Sequence, residues 1–496
     1  MRIIYFFASL MSLSINAQVF NGLTLFSSYS DDLDEDNHYT KLINNNQNVL
    51  HSWNHDRGSA SMPYLLTDGT LLYPYRVENP SMCNGGVGGG IALYDWYGNI
   101  LWSYEFSNNL YQHHHDICPL PNGNILVLVW ERHIATQSTD SDFYGGEARG
   151  WAEMGRQEVQ NPLNQMWSES VFEIEMIGHD GINIVWEWHL WDHLVQDVDS
   201  SLLNYGDIST HPELIDINYG DVGGFDGMCG PQGDWIHFNA LDYNQELDQI
   251  VLSSRNNNEI YIIDHSTTTT EAASHSGGNS GMGGDILYRW GNPQVYNQGN
   301  DFNQQLDSQH GVNWIPESYP GAGNLILFNN FYNGQWQSIV YEIVPPINQF
   351  GTYDLNNNYT YGPNSPSWFF IADFFSWIQS GAYRLPNGNT LVTVATSGQI
   401  IEVANEPPQV IWNYELDNSQ MIARAQKYSL DYLEPGFNVG DIDFDYTFSI
   451  NDLFILLDLI YFNNSDISPQ ADINLDGNLD MLDISYLLEI ILEDLR

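Results

Sequence analysis

Three histidines stand at the head of the same kind of segment: His115 before Asp-Ile-Cys-Pro-Leu-Pro-Asn-Gly-Asn-Ile-Leu, His237 before Phe-Asn-Ala-Leu-Asp-Tyr, and His310 before Gly-Val-Asn-Trp-Ile-Pro. Imidazole near neutral pH can act as a nucleophile, exchange protons, or ligate zinc or copper. A single strand histidine is most often structural. Three at equivalent points of a repeat are different, because a repeating fold brings equivalent positions to equivalent places.

The elements that would position them are short strands in two alternating patterns. The first is a hairpin around a tight turn, as in Tyr64 to Leu72, Leu120 to Val127 and Leu385 to Val392, where Asp-Gly or Asn-Gly tolerates positive φ. The second is an aliphatic pair followed by alternating aromatics: Val49 to Trp53, Ile100 to Tyr104, Ile184 to Trp188, Ile286 to Trp290 and Val410 to Tyr414. Hairpin plus outer hairpin makes a four-stranded unit. Units at 22–56, 64–106, 115–190, 237–290, 310–370 and 380–416 predict an all-β, six-bladed β-propeller over residues 18–434. The stretch Ala423 to Leu433 is expected to pair near Leu23 to Phe26 and close the ring. The inserts at 131–170 and 191–235 read as loops over one face of the disc, and the first residue of each inner strand should point to the central channel.

Thirteen Lys and Arg against 63 Asp and Glu give a formal charge of -50, which excludes nucleic acid as a partner. Residues 1–17 read as a signal peptide, so the chain is expected to be secreted or periplasmic, with attachment at the cell surface as an open alternative. No later stretch is long and apolar enough to span a membrane. Of three cysteines, Cys83 and Cys229 in glycine-rich loops are the likelier disulfide pair, and Cys118 a core residue.

Beyond Pro435 two acidic loops each precede an aliphatic helix pattern. Asp441, Asp443, Asp445, Ser449 and Asp452 in one, and Asp472, Asn474, Asp476, Asn478, Asp480 and Asp483 in the other, offer oxygens at the spacing that wraps calcium. The first loop has Tyr446 where glycine usually makes the sharp turn, whereas the second has Gly477. Residues 438–496 resemble a type I dockerin, a small α-helical module. The resemblance implies calcium as cofactor and docking to a cohesin-like or cell-surface protein; the plainer reading is a calcium-stabilised cap.

Four pieces carry a second resemblance: His114-His115-Asp116, Asp234-Trp-Ile-His237-Phe-Asn239, Ser253-Ser254-Arg255, and Gln309-His310 with Gly323 to Asn330. Together with Trp186 to Leu194, they resemble the bacterial PAPS-independent arylsulfotransferases over about residues 60–433. The resemblance implies ping-pong transfer of a sulfuryl group from a phenolic sulfate to a phenolic acceptor through a sulfohistidine, without PAPS or a catalytic metal. By motif position His310 is the nucleophile, while His115, His237, Asn239 and Arg255 hold the sulfate oxygens. His114 could take the part of His115. The chemistry suits these residues: a transferring sulfuryl group spreads charge over three oxygens and needs fixed donors such as a guanidinium fork, an amide and imidazoles. Trp235 and Trp314 could stack on a phenolic ring or simply pack in the core. Phe328-Asn329-Asn330 carries Asn where the family commonly has Asp.

Three other readings stay open: a non-catalytic propeller binding a sulfated or carbohydrate ligand, an aryl sulfatase that uses water as acceptor, and a metal held by the three histidines. Arg255 argues against the last, because it would repel the cation.

Overall fold

The computed structural model describes residues 18–29, 38–136, 150–356, 359–371, 374–416, 420–430, 432–433, 440, 442, 448–462, 471–473 and 478–494. The signal-peptide segment 1–17 and the calcium-loop residues Asp441, Asp443, Asp445, Asn474 and Asp476 lie outside them.

Six four-stranded antiparallel sheets form the blades of a propeller. From inner to outer strand, blade 2 runs through Tyr64–Leu65, Leu71–Arg76, Gly89–Tyr94 and Ile100–Glu105, and blade 3 through Tyr111–Pro119, Ile125–Ile134, Gln165–Ile177 and Gly181–His189. Blade 4 has Phe238–Asn244, Gln249–Ser254, Glu259–Asp264 and Tyr288–Trp290; blade 5 has His310–Trp314, Leu325–Asn329, Ile339–Ile343 and Trp368–Ile371. Blade 6 has Gly381–Arg384, Thr390–Val394, Gln399–Asn405 and Pro408–Glu415. Blade 1 is made from both ends of the ring: Ala425–Ser429 is its inner strand, beside Gly22–Ser27, His38–Ile43 and Val49–His55. Closure by the late strand is therefore as the sequence suggests. The pairing sets Leu23 opposite Tyr428 and Phe26 opposite Ala425.

The inner hairpins form where Asp-Gly and Asn-Gly predict them, with Gly69, Gly123 and Gly388 at φ of 79°, 87° and 89°. Their apolar runs are explained by burial on both faces. In blade 3, Ile125 and Val127 pack toward blade 2 while Leu126 and Leu128 pack toward blade 4. Analogous clusters fill the spaces between blades 4 and 5, 5 and 6, 6 and 1, and 1 and 2.

The inserts differ from the expectation of plain loops. Residues 131–134 and 165–170 extend the two middle strands of blade 3 as a long ladder, and 191–235 holds short helices and two small sheets. A continuous run of buried residues from Met166 to Ile174, polar Ser168, Glu169 and Ser170 among them, continues the strand where glycine and asparagine counts hide it. Cys83 and Cys229 form a disulfide with a Cα–Cα distance of 5.8 Å, and Cys118 is free and buried.

Two helices, Ile450–Phe462 and Met481–Asp494, pack on each other around Leu456, Ile484 and Leu487. No helix among the described residues is long and apolar enough to cross a membrane.

Candidate active site

The inner strands of blades 3, 4 and 5 touch one another and bring the three histidines together. His310 opens its strand, His237 immediately precedes one, and His115 sits inside one at a break in register between His113 and Ile117. Backbone conformation departs from a regular strand at two of them: His115 and His237 have φ of 49° and 57°. Left-handed backbone at a non-glycine residue costs about 1–3 kcal/mol and is held only where surroundings enforce it. Here Gly86 helps: its carbonyl accepts from the His115 amide at 2.7 Å, and a Cβ on it would fall 2.0 Å from the His115 ring. The rings of His115 and His237 meet edge-on, centroids 4.7 Å apart.

Hydrogen bonds fix the tautomer of His310. Its Nδ1 faces two acceptors, Asn330 Oδ1 at 2.9 Å and the Ser308 carbonyl at 3.0 Å. Asn330 cannot be turned round, because its Nδ2 donates to the carbonyls of Ser376 and Gln379 at 2.9 and 3.2 Å. Nδ1 thus carries the hydrogen, and Nε2 keeps the lone pair that a nucleophile needs. Burial, followed by the nearby Arg255 charge, lowers the His310 pKa to about 3, so the ring is neutral throughout the physiological range.

His237 leans on Asp234, whose carboxylate takes its Nδ1 and also accepts from Asn84 Nδ2 at 2.8 Å. A buried chain backs His115: its Nδ1 lies 3.0 Å from His114 Nδ1, and His114 Nε2 lies 2.9 Å from Glu169. Both nitrogens of His114 are engaged there, and its ring stacks on Trp130 at 4.2 Å. Burial pushes Glu169 well above the usual carboxylate range and His114 and His115 well below the usual histidine range. With Glu169 protonated, it donates to His114 Nε2, His114 Nδ1 donates to His115 Nδ1, and His115 Nε2 carries a hydrogen; loss of that one proton reverses both bonds and bares His115 Nε2.

Arg255 follows the second strand of blade 4 and lines a cleft of about 550 Å³ with Asn84, Asp234, His237, Asp307 and Ser308. Burial lowers its pKa, and Asp234 and Asp307 partly offset that. Asn239 is placed differently from a plain substrate donor. Its Nδ2 donates to the Gln309 carbonyl at 2.7 Å, and its Oδ1 is buried without a partner. Gln309 is itself tied to Ser254 and Glu259 carbonyls, so Asn239 steadies the residue that precedes His310.

Trp235 borders the same cleft. Trp314 lies at the other end of the inner strands, packed between blades and bordering a second cavity of about 1030 Å³ with Tyr383 and Arg424. Arg424 is a residue that motif reading passes over. It pairs with Asp116, donates to Ser61 Oγ at 2.9 Å, and its charge acts on His115. Its signal in the sequence is scarcity, since a chain with 13 cations spends one beside the ring-closing strand. Asp234 was signalled by its three-residue spacing to His237.

Of the calcium-loop residues, Asp452 and Asp483 are buried and play matching parts. Asp452 accepts from the Ile442 and Ser449 amides at 2.7 and 2.8 Å, and Asp483 from the Ile473 and Asp480 amides, both at 2.8 Å. Ser449 Oγ and Asp480 Oδ1 cap the helix starts at Asn451 and Leu482. Asp472 is buried and Asn478 exposed.

Fold and site together define a β-propeller whose inner strands carry neutral imidazoles beside a guanidinium, an arrangement suited to an anion. A family model described as arylsulfotransferase (ASST) matches residues 65–145 and 168–428, and the chain belongs to that family. No curated protein matches the sequence. Among solved structures, a protein of unknown function from Bacteroides caccae is 10% identical over 82% of this chain and 98% of its own, with a TM-score of 0.42. The periplasmic gluconolactonase of Pseudomonas aeruginosa is 10% identical over 82% and 99%, TM-score 0.39. Virginiamycin B lyase from Staphylococcus aureus is 11% identical over 80% and 85%, TM-score 0.31. Likenesses this distant carry no argument about chemistry.

Proposed function

We propose that the protein transfers a sulfuryl group from an aryl sulfate to a phenol in two displacements at His310. The observation that carries this reading is the His310 tautomer: a neutral ring, Nδ1 hydrogen held by Asn330 and Ser308, Nε2 free to attack. In the first displacement an N–S bond forms at Nε2 while the S–O bond to the aryl group breaks. The aryl oxygen leaves with the electron pair and takes a proton from His115 or His237. In the second, the same histidine accepts the phenol's proton as its oxygen attacks sulfur, and the N–S pair returns to Nε2. Arg255 and the imidazoles hold the three sulfuryl oxygens, and Asn239 keeps Gln309 and His310 in line.

The C-terminal module binds calcium through its two acidic loops and docks the enzyme to a cohesin-like or cell-surface protein after export. The matched amide contacts of Asp452 and Asp483 support a common loop design.

The test is a chromogenic aryl sulfate with and without added phenol, followed by mass spectrometry of the His310 peptide. Phenol should speed aryl release, the peptide should gain one SO3, and His310→Ala should stop both. Full aryl release by His310→Ala would overturn the assignment, and release indifferent to phenol would make water the acceptor.

A further inference from the structure

At the outer rim between blades 3 and 4, away from the histidine cluster in sequence and chemistry, His193, His275 and Asp285 bring one ligand atom each to within 4.8 Å of one another. His193 follows the outer strand of blade 3, while His275 and Asp285 belong to the connection between the last two strands of blade 4. His193 is fully buried, Asp285 nearly so, and the His275 side chain is 62% exposed.

The hydrogen bonding of His193 is that of a metal ligand. Its Nε2 lies 2.8 Å from the Ala272 carbonyl, which can only accept, so Nε2 carries a hydrogen. His193 Nδ1 faces Asp285 Oδ1 at 2.8 Å, and His275 Nδ1 reaches the same oxygen at 2.7 Å. Two imidazole nitrogens converging on one carboxylate oxygen make a donor set for a cation. Ligating histidines characteristically fix their other nitrogen on a carbonyl in this way. The ring is further immobilised by stacking on Trp188, whose indole donates to the Gly284 carbonyl at 2.7 Å. Gly284 itself leaves room that a side chain would fill, since a Cβ there would sit 2.6 Å from His193 Nε2.

We propose that His193 Nδ1, His275 Nδ1 and Asp285 hold a divalent transition ion of the zinc class, which staples blade 3 to blade 4. Two imidazoles and one carboxylate are a zinc donor set, and the exposed side at His275 leaves the fourth position to water. Bond lengths of about 2.0 Å in tetrahedral geometry place ligands roughly 3.3 Å apart, so the two nitrogen–oxygen separations, now 2.7 and 2.8 Å, each need to open by about half an ångström.

The full-length protein, stripped with a chelator and kept in excess calcium, should take up one equivalent of zinc, and cobalt in its place should give the visible absorption of a tetrahedral site. His275→Ala and Asp285→Asn should weaken zinc binding by about tenfold or more. His275 is exposed, so its removal leaves the fold intact, and His310→Ala should bind zinc like the wild type. Failure of the wild type to take up micromolar zinc, or undiminished uptake by both rim variants, would overturn the site. Loss of zinc only in His310→Ala would place the ion in the catalytic cluster instead and equally defeat the proposal.

Discussion

Asn330 sets the chemistry of its neighbour by being neutral. Accepting the Nδ1 hydrogen of His310 without a charge, it leaves burial and Arg255 to depress the ring's pKa to about 3. Aryl sulfate kcat/KM should therefore show no acid limb from His310 between pH 8 and 5. Asn330→Asp would place a carboxylate on Nδ1 and raise that pKa by about one to three units, moving the acid limb upward. Coincident pH–rate profiles for the two proteins would contradict the assignment. The three histidines could be picked out of the sequence because they recur at fixed offsets from strand patterns, whereas Arg255 entered through the family resemblance. The parts played by Glu169 and Arg424 were not legible there, since each depends on contacts between strands far apart in the chain. Asn239 shows the same limit: its residue type suggests a ligand donor, while its amide is spent on Gln309.

Between residue and molecule, the propeller and the C-terminal helices differ in what holds them together. Each blade buries both faces against its neighbours, whereas the helix pair has only a small cluster around Leu456, Ile484 and Leu487. A core that small leans on its loops, and calcium binding there contributes folding free energy directly. Apart from Thr269–Ala272, the α-helices among the described residues are these two. Removing calcium with EGTA should thus abolish most of the helical circular dichroism at 222 nm and leave the β signal, with calcium restoring it. An unchanged spectrum would refute the calcium reading. Blade strands could be placed from sequence because turn residues and alternation agree. The length of the blade 3 ladder could not, because polar residues at its buried positions, such as Ser168 and Glu169, break the apolar pattern.

Among the described residues, most of the few positive charges lie inside. Arg76, Arg156, Arg289, Arg384, Arg424 and Lys427 are buried, and four of them pair with Glu259, Glu342, Asp116 and Glu402. What faces solvent is overwhelmingly acidic, and the cleft itself carries Asp221, Asp234 and Asp307 around one guanidinium. An anionic aryl sulfate must approach against that field. Raising salt from about 10 to about 200 mM shortens the screening length and should increase donor kcat/KM several-fold, while leaving the step that consumes a neutral phenol unchanged. A donor rate that falls with salt would mean that local attraction at Arg255 governs capture. Composition alone disclosed the charge; only the fold discloses where the exceptions went.

Ring closure through Ala425–Ser429 has a further meaning for biosynthesis. The innermost ribbon of the first blade is among the last parts of the propeller to leave the ribosome, and Arg424, which braces Asp116 beside His115, arrives with it. A nascent chain stopped short of residue 424 could hold every catalytic histidine yet lack the clasp that draws them into register. The brace on Asp116 is thus in place only once the last strand of the disc has paired.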